Sequence, residues 1–414
     1  MPWEVTSAMN ERSRFIEAKL RGEHESMAEL CRAFGVSRKT GYKWWERFEQ
    51  GGTAALHDRS RRWQSHPHST DPVMVEMIVA TRRAHPTWGP KKLYAWLMGK
   101  GYSPPAPSTI GVILRKEGCI RPRRKRARPG EFNDGLSAQD VPNAVWSADF
   151  KGWFRLKAGH KCYPLTITDG YSRYLLRCAA LEHPDMLASR EVFDAAFVEF
   201  GLPTTLRTDN GTPFSGAYGV SALSVWWVKL GIQPERIERG KPTQNGRHER
   251  MHRTLKADAI GSGAIGRGIH SQQRVFDHFR HEYNSERPHE ALGMRTPATF
   301  YQPSNRTYPR KLESPEYPAD WLVHRVRRDG SIRLGDEDLF VSAALRGEPV
   351  GLEESPEGEL CIHYGPLHLA TVTAKGKLTR GTRRRSPTRP PHQPDDPQLE
   401  FVPTVHQGDQ AAAE

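Results

Sequence analysis

At 414 residues the chain is long enough for two to four domains, each with its own core. Lys+Arg 61 against Asp+Glu 48 gives a formal charge of +13, which favours a polyanionic partner such as nucleic acid over a solvated basic surface without a ligand. The five cysteines, Cys31, Cys119, Cys162, Cys178 and Cys361, form no C-x-x-C pair, so neither a disulfide framework nor a thiolate zinc site is suggested. There is no apolar leader at the N-terminus and no run near membrane-span length, so a soluble chain in a reducing, cytoplasmic setting is expected.

In chain order, Met27–Phe34 reads as an amphipathic helix stopped by Gly35. Ser37 is a good N-cap for a following helix with Tyr42, Trp44, Trp45 and Phe48. Helix, glycine turn and capped second helix is the helix-turn-helix pattern, expected over residues 8–60. Arg38, Lys39, Lys43 and Arg47 fall on the second helix, where they can meet phosphates and base edges in a major groove. After a polar joint at Asp58–Thr70, in which His66 and His68 are loop residues, Val73–Ala84, Gly89–Met98 and Ser108–Glu117 predict a second three-helix unit over residues 70–120. The charge block containing Arg123, Arg124, Lys125 and Arg126 lacks apolar periodicity. It reads as a linker over residues 121–140 that tracks the DNA backbone in a salt-dependent way.

From about residue 141 the pattern changes. Val145–Leu156, Tyr163–Asp169 and Tyr174–Ala180 predict a strand meander, and helices and short strands alternate after it to about residue 302. Residues 318–374 carry many short strands with glycine turns, which predicts a small β-barrel-like domain, and 375–414 is expected to be a disordered tail. The chain is thus multidomain: all-α helix-turn-helix units, a central α/β domain and a C-terminal small all-β domain.

Three acids in the central domain stand in unlike contexts. Asp149 lies in a strand and Asp209 at the end of a later strand before Asn210-Gly211, whereas Glu249 is near the start of a helix after Pro242-Thr243-Gln244-Asn245-Gly246. Sixty and forty residues separate them, so only folding brings them together. Gathered carboxylates suit hard divalent cations, and two such ions serve in-line phosphoryl transfer. Asn245, Arg253 and Lys256 lie on the same helical stripe as Glu249, which suits contacts to DNA phosphates. Asp169, before Gly170, has the look of a local turn residue.

Four stretches, taken together, resemble the DDE transposases of bacterial insertion sequences, with their retroviral-integrase-like core. These are Trp146-Ser147-Ala148-Asp149-Phe150-Lys151-Gly152, Arg207-Thr208-Asp209-Asn210-Gly211-Thr212-Pro213-Phe214, Lys241 through Arg250, and Tyr283-Asn284-Ser285-Glu286-Arg287-Pro288-His289-Glu290-Ala291-Leu292 with Thr296-Pro297-Ala298 after it. The resemblance covers residues 141–302 and implies an RNase H-like core with Asp149, Asp209 and Glu249 as catalytic, metal-binding triad. It implies two Mg²⁺ ions, with Mn²⁺ as a substitute, and Lys256 as a contact to element-end DNA. The implied substrate is double-stranded DNA, both terminal repeats and target, cut and joined by a homodimer or larger assembly in the bacterial nucleoid. The Cys/His zinc domain of retroviral integrases is absent. A DNA-binding regulator that uses the core as a dimerisation scaffold would show no metal-dependent cleavage, and a plain nuclease would yield no joined products.

Overall fold

Serine caps start each α-helix of the first unit. The computed structural model describes residues 7–58, 69–120, 135–238, 240–261, 263–356, 358–373 and 378–380, and divides into two compact units at Asp71/Pro72. In the first unit, α1 (Ala8–Leu20), α2 (Met27–Ala33) and α3 (Arg38–Gly51) each begin with a serine hydroxyl accepting from a first-turn amide: Ser7 from Asn10, Ser26 from Glu29 and Ser37 from Thr40. Gly35 turns the chain between α2 and α3 at φ 64°. Phe15, Ile16, Leu30, Cys31 and Leu56 fill the interior.

Gly41 lets α3 sit against α2. A Cβ there would collide with Cys31 Sγ and stand 3.0 Å from the Phe15 ring. We expect Gly41→Val to cost about 1–3 kcal/mol through overpacking. Hydrogen exchange checks this: amides of α1–α3 should lose protection while those of the second unit keep theirs.

In the second unit, α4 (Pro72–Ala84), α5 (Pro90–Gly99) and α6 (Pro107–Lys116) all start on proline, whose missing N–H is no loss in a first turn. They close around Trp88, Leu93, Leu97, Ile110 and Leu114, all fully buried. The next strands are β1 (Val145–Phe150), β2 (Phe154–Arg155), β3 (Lys161–Asp169) and β4 (Leu175–Leu181), followed by α7 (Met186–Phe200), β5 (Thr205–Thr208), α8 (Ala222–Lys229), β6 (Gln233–Arg236), α9 (Gly246–Leu255) and α10 (Ile269–His281). Strand β3 lies between β1 and β4 as an antiparallel neighbour of both, while β5 and β6 extend the sheet in parallel from the other edge of β1. The expected single strand Val145–Leu156 is interrupted: Gly152 takes φ 87°, and β2 resumes pairing at the outer end of β3.

Alternation along the strands sorts the two faces. Trp146, Ala148, Leu165 and Ile167 point to Phe193 and Phe197 of α7 and Trp227 of α8. On the other face Cys162, Leu175 and Cys178 meet Met251 and Leu255 of α9 and Phe276 of α10. Asp149, out of phase with Trp146 and Ala148, is thereby turned to the α9 side.

The C-terminal strands are β7 (Leu322–Arg325), β8 (Ser331–Leu334), β9 (Glu337–Phe340), β10 (Pro349–Glu354), β11 (Leu360–Tyr364), β12 (Leu367–Val372) and β13 (Leu378–Arg380). They do not make the expected barrel. The described strands form an open five-stranded sheet, β13-β12-β11-β10-β7, and a separate β8-β9 hairpin. Closure is unnecessary because Val225 and Val228 of α8, with Val220, join Val350, Ile362 and Leu369 in one apolar cluster. Strand β13 also falls inside the stretch expected to be a disordered tail, pairing antiparallel with β12. The rest of that tail, the basic run Arg123–Arg126, and His66 and His68 lie outside the described residues.

Candidate active site

Asp149 owes its position to strand pairing. It is opposite Thr166 of β3, and the parallel partners Ala148 and Thr208 put Asp209, one residue beyond β5, beside it. The Asp209 carboxylate is held by its own turn, Oδ1 accepting from the Gly211 amide at 3.0 Å, and Asn210 Nδ2 pins that turn to the Ile237 carbonyl at 2.8 Å. A Cβ on Gly211 would crowd Asp209 Oδ2 at 3.0 Å, so glycine keeps the carboxylate unobstructed. Glu249 sits exposed in the first turn of α9, which packs against β1.

The three acids share one electrostatic site. The Asp149 carboxyl is raised from 3.8 to about 7, first by burial, then by the charge of Asp209 and, more weakly, of Glu249, with Lys151 opposing. An oxygen-only set under this much repulsion fits a hard divalent cation, which would relieve it. The sign follows. Between about pH 4 and pH 7 the folded chain keeps a proton that the unfolded chain releases, so this group's stabilising contribution is lost as pH rises through about 7. In chelator, the thermal midpoint should therefore drop between pH 6 and pH 8. Added Mg²⁺ should restore it at pH 8 and do much less at pH 6, where binding has to displace the proton. A midpoint unmoved by Mg²⁺ at pH 8 would remove the metal reading.

Two histidines not singled out from the sequence lie beneath Asp149. His248 and His252 are buried on the inward side of α9, where Thr166 Oγ1 meets both Nε2 atoms at 2.8 and 2.7 Å and Thr168 Oγ1 meets His248 Nδ1 at 2.7 Å. His252 Nδ1 is 3.7 Å from Asp149 Oδ2. Burial, the largest cause for both rings, drives His248 well down and His252 to about 3, so neither carries charge at neutral pH. Donor atoms of Asp149, His248 and His252 lie within 4.8 Å of one another. The imidazoles are committed to threonine hydroxyls, so their place is under the carboxylate as its support. The signal was available: histidines at i and i+4 on the apolar side of an otherwise charged helix.

The remaining expected residues divide. Arg253 and Lys256 are exposed with Glu249, and Lys256 opens a π-helical turn, Lys256–Ile260. Asn245 is only 5% exposed, which corrects its expected place on the DNA-facing stripe: it ends a 3₁₀ turn, Pro242–Asn245, ahead of α9 and turns inward. Arg38, Lys39 and Lys43 are exposed on α3, and Arg47 is half-buried. Trp44, expected as an apolar helix residue, is a platform for cations, with Arg12, Lys43 and Arg47 at 3.9, 5.1 and 4.7 Å from its ring. Asp169 has the local role expected of it, accepting from the Asn143 amide and from the amide and hydroxyl of Ser172.

The fourth stretch is structural. Asn284 clamps the Leu175 backbone, accepting from its amide at 2.8 Å and donating to its carbonyl at 3.0 Å. Arg287 donates to Asp258 at 3.0 Å and to Thr87 at 3.1 Å, and His85 meets Glu282 at 2.8 Å, so these residues tie the turn before α5 to the core.

Sheet order and the preceding helices together suit an integrase core domain that follows helix-turn-helix-type domains in the chain. Models of the integrase core domain match residues 139–242 and 230–297, a helix-turn-helix domain matches 11–63 and a homeodomain-like domain matches 40–114. The fold is accordingly a helix-turn-helix region, a central integrase core and C-terminal β sheets. Proteins of bacterial insertion elements are among its relatives. An uncharacterized protein of insertion element IS407 from Burkholderia multivorans is 26% identical over 65% of this chain and 88% of the relative. The transposase for insertion sequence element IS904 from Lactococcus lactis is 25% identical over 42% of this chain and 67% of the relative. The HTLV-2 integrase catalytic core domain, solved in complex with magnesium, aligns over 39% of this chain and 98% of its own length, at 15% identity and a TM-score of 0.32. Among the described residues no helix is long and apolar enough to cross a membrane.

Proposed function

We propose that this chain is a DDE-type transposase of a bacterial insertion element, a polynucleotidyl transferase that cuts the ends of its own element and joins them to target DNA. The observation that carries this reading is the register that sets Asp149 of β1 beside Asp209 at the end of β5, with α9 and its Glu249 packed against β1, so that acids distant in sequence act on one another. Asp149, Asp209 and Glu249 would hold two Mg²⁺ ions, with Mn²⁺ as a substitute. When bound, these supply activation of the attacking oxygen and neutralisation of the leaving 3′ oxygen.

The protein's own part is positioning. Strand pairing and the Gly211 turn aim the aspartates, the Thr166–His252 contacts steady Asp149 from below, and Arg253 and Lys256 lie on the exposed side of α9 to take DNA phosphates. Arg38, Lys39, Lys43 and Arg47 on α3 supply end recognition, and the basic run Arg123–Arg126 adds salt-dependent affinity. No high-energy cofactor is needed, since each joining step exchanges one phosphodiester for another. Two ends are handled together, which calls for a homodimer or larger assembly on double-stranded DNA in the nucleoid.

The test uses the full chain, duplexes carrying the inverted repeats that flank its reading frame, and Mg²⁺. Nicked ends and covalently joined products are expected. Tight binding with no strand cut would reduce the chain to a DNA-binding protein, and nicks with no joined products would reduce it to a nuclease.

A further inference from the structure

The outer face of the C-terminal sheet carries a second group of metal-type ligands, remote from the acids of the core. Strand alternation puts Ile362 into the interior, fully buried, and turns its neighbours Cys361 and His363 to the opposite face. The register then assembles a cluster. Cys361 is opposite Glu353 of β10 on one side and Thr371 of β12 on the other, and a bulge after Ile362 brings His368 opposite His363. One donor atom each from Cys361, His363 and His368 lies within 4.8 Å of the others, and the Glu353 carboxylate reaches within 3.3 Å of His363 Nε2.

We propose that Cys361, His363, His368 and Glu353 form a four-coordinate site for a zinc-class ion that staples β10, β11 and β12 together. A tetrahedral zinc centre with arms of about 2.0–2.3 Å has ligand atoms roughly 3.3–3.8 Å apart, so Cys361, His363 and His368, mutually within 4.8 Å, need only side-chain adjustment to close on an ion, and Glu353 swings in from its contact with His363. One thiolate, two imidazoles and one carboxylate are a donor set that zinc takes and Mg²⁺ does not.

Two further observations point to a ligand. The His363 Nε2 atom is buried and makes no hydrogen bond of good geometry, its nearest polar neighbour being the Glu353 carboxylate at 3.3 Å, which is a contact that a shared ion would satisfy. The residue is also held from outside: Trp321 lies 4.9 Å from the His363 ring, and Tyr317 Oη fixes its backbone by donating to the His363 carbonyl at 3.3 Å. Such outer partners fix the orientation of a ligating imidazole. Thr371 Oγ1, 3.1 Å from His368 Nε2 and 3.7 Å from Cys361 Sγ, fills the same role between the two flanking ligands. Because the ligands come from three strands, no close-spaced pair of cysteines announces them.

The probe is Co²⁺ added to the full-length chain after treatment with chelator. One equivalent should raise the near-ultraviolet thiolate-to-cobalt charge-transfer band together with the visible bands of a tetrahedral ion, and Zn²⁺ should displace it while Mg²⁺ does not. Cys361→Ser should abolish the band. The surface variant His368→Gln should weaken binding by at least the ~10–100-fold that loss of even an outer partner costs. Asp149→Asn should leave the band intact, which separates this site from the core. A folded wild-type chain that shows no such band, or a band that survives Cys361→Ser, would overturn the proposal.

Discussion

Asp149→Asn will bind element-end DNA like the unaltered chain but will lose Mg²⁺-dependent nicking and joining by at least about 10²–10³-fold, the size of effect seen when one preorganised charge-stabilising group is removed from a reaction centre. The substitution is nearly isosteric, so β1 and its pairing with β3 and β5 stay as they are. What goes is the central negative charge, on which both Asp209 and Glu249 act. The same variant should be more stable than the parent in chelator at pH 8, because a neutral amide removes the repulsion within the cleft. Lost chemistry with gained stability is a signature that a merely destabilising substitution cannot produce. Retained joining activity, or a lower midpoint in chelator, would remove Asp149 from the metal centre. Asp209→Asn and Glu249→Gln should abolish the same steps.

The second large effect is on stability. Arg207 of β5, two residues before Asp209, is 1% exposed and donates from Nε to Glu235 Oε2 of β6 at 2.6 Å. Glu235 also accepts from the amide and hydroxyl of Ser137, at 2.8 and 3.0 Å, while Arg207 Nη2 donates to the Ser137 carbonyl at 2.9 Å. Glu235→Ala strands a buried guanidinium, which should cost about 3–5 kcal/mol. That is a large share of the roughly 5–15 kcal/mol that holds a typical domain together. Pairing it with Arg207→Met should recover much of the loss, since an apolar replacement of both partners removes the stranded charge. Urea denaturation of the single and double variants decides the matter. A single variant within about 0.5 kcal/mol of the parent, the range of ordinary surface changes, would show that the pair is dispensable.

Much of this was legible because local chemistry and global fold agree. Ser37 and Gly35 announce α3, the residues around Asp149 announce a strand, and the Asn210-Gly211 turn announces the end of β5. Contacts made only after folding were hidden. Nothing in the sequence near Thr166 signals that its hydroxyl lies between two histidines more than eighty residues away. Nor does Arg287 betray that it ties Asp258 to Thr87. Asn245 lies off the expected stripe because a 3₁₀ turn, not a continuous helix, precedes α9. The expected barrel failed for a related reason: short strands signal that one face needs covering, but not that a helix from another domain covers it.

Helix α8 belongs to two interiors at once, with Trp226 and Trp227 in the core of the central domain and Val225 and Val228 in that of the C-terminal sheets. A fragment ended before residue 318 would uncover those valines to water, so the catalytic piece cannot be excised cleanly. Expressed alone it should self-associate, and its misbehaviour would reflect the cut, not the enzyme.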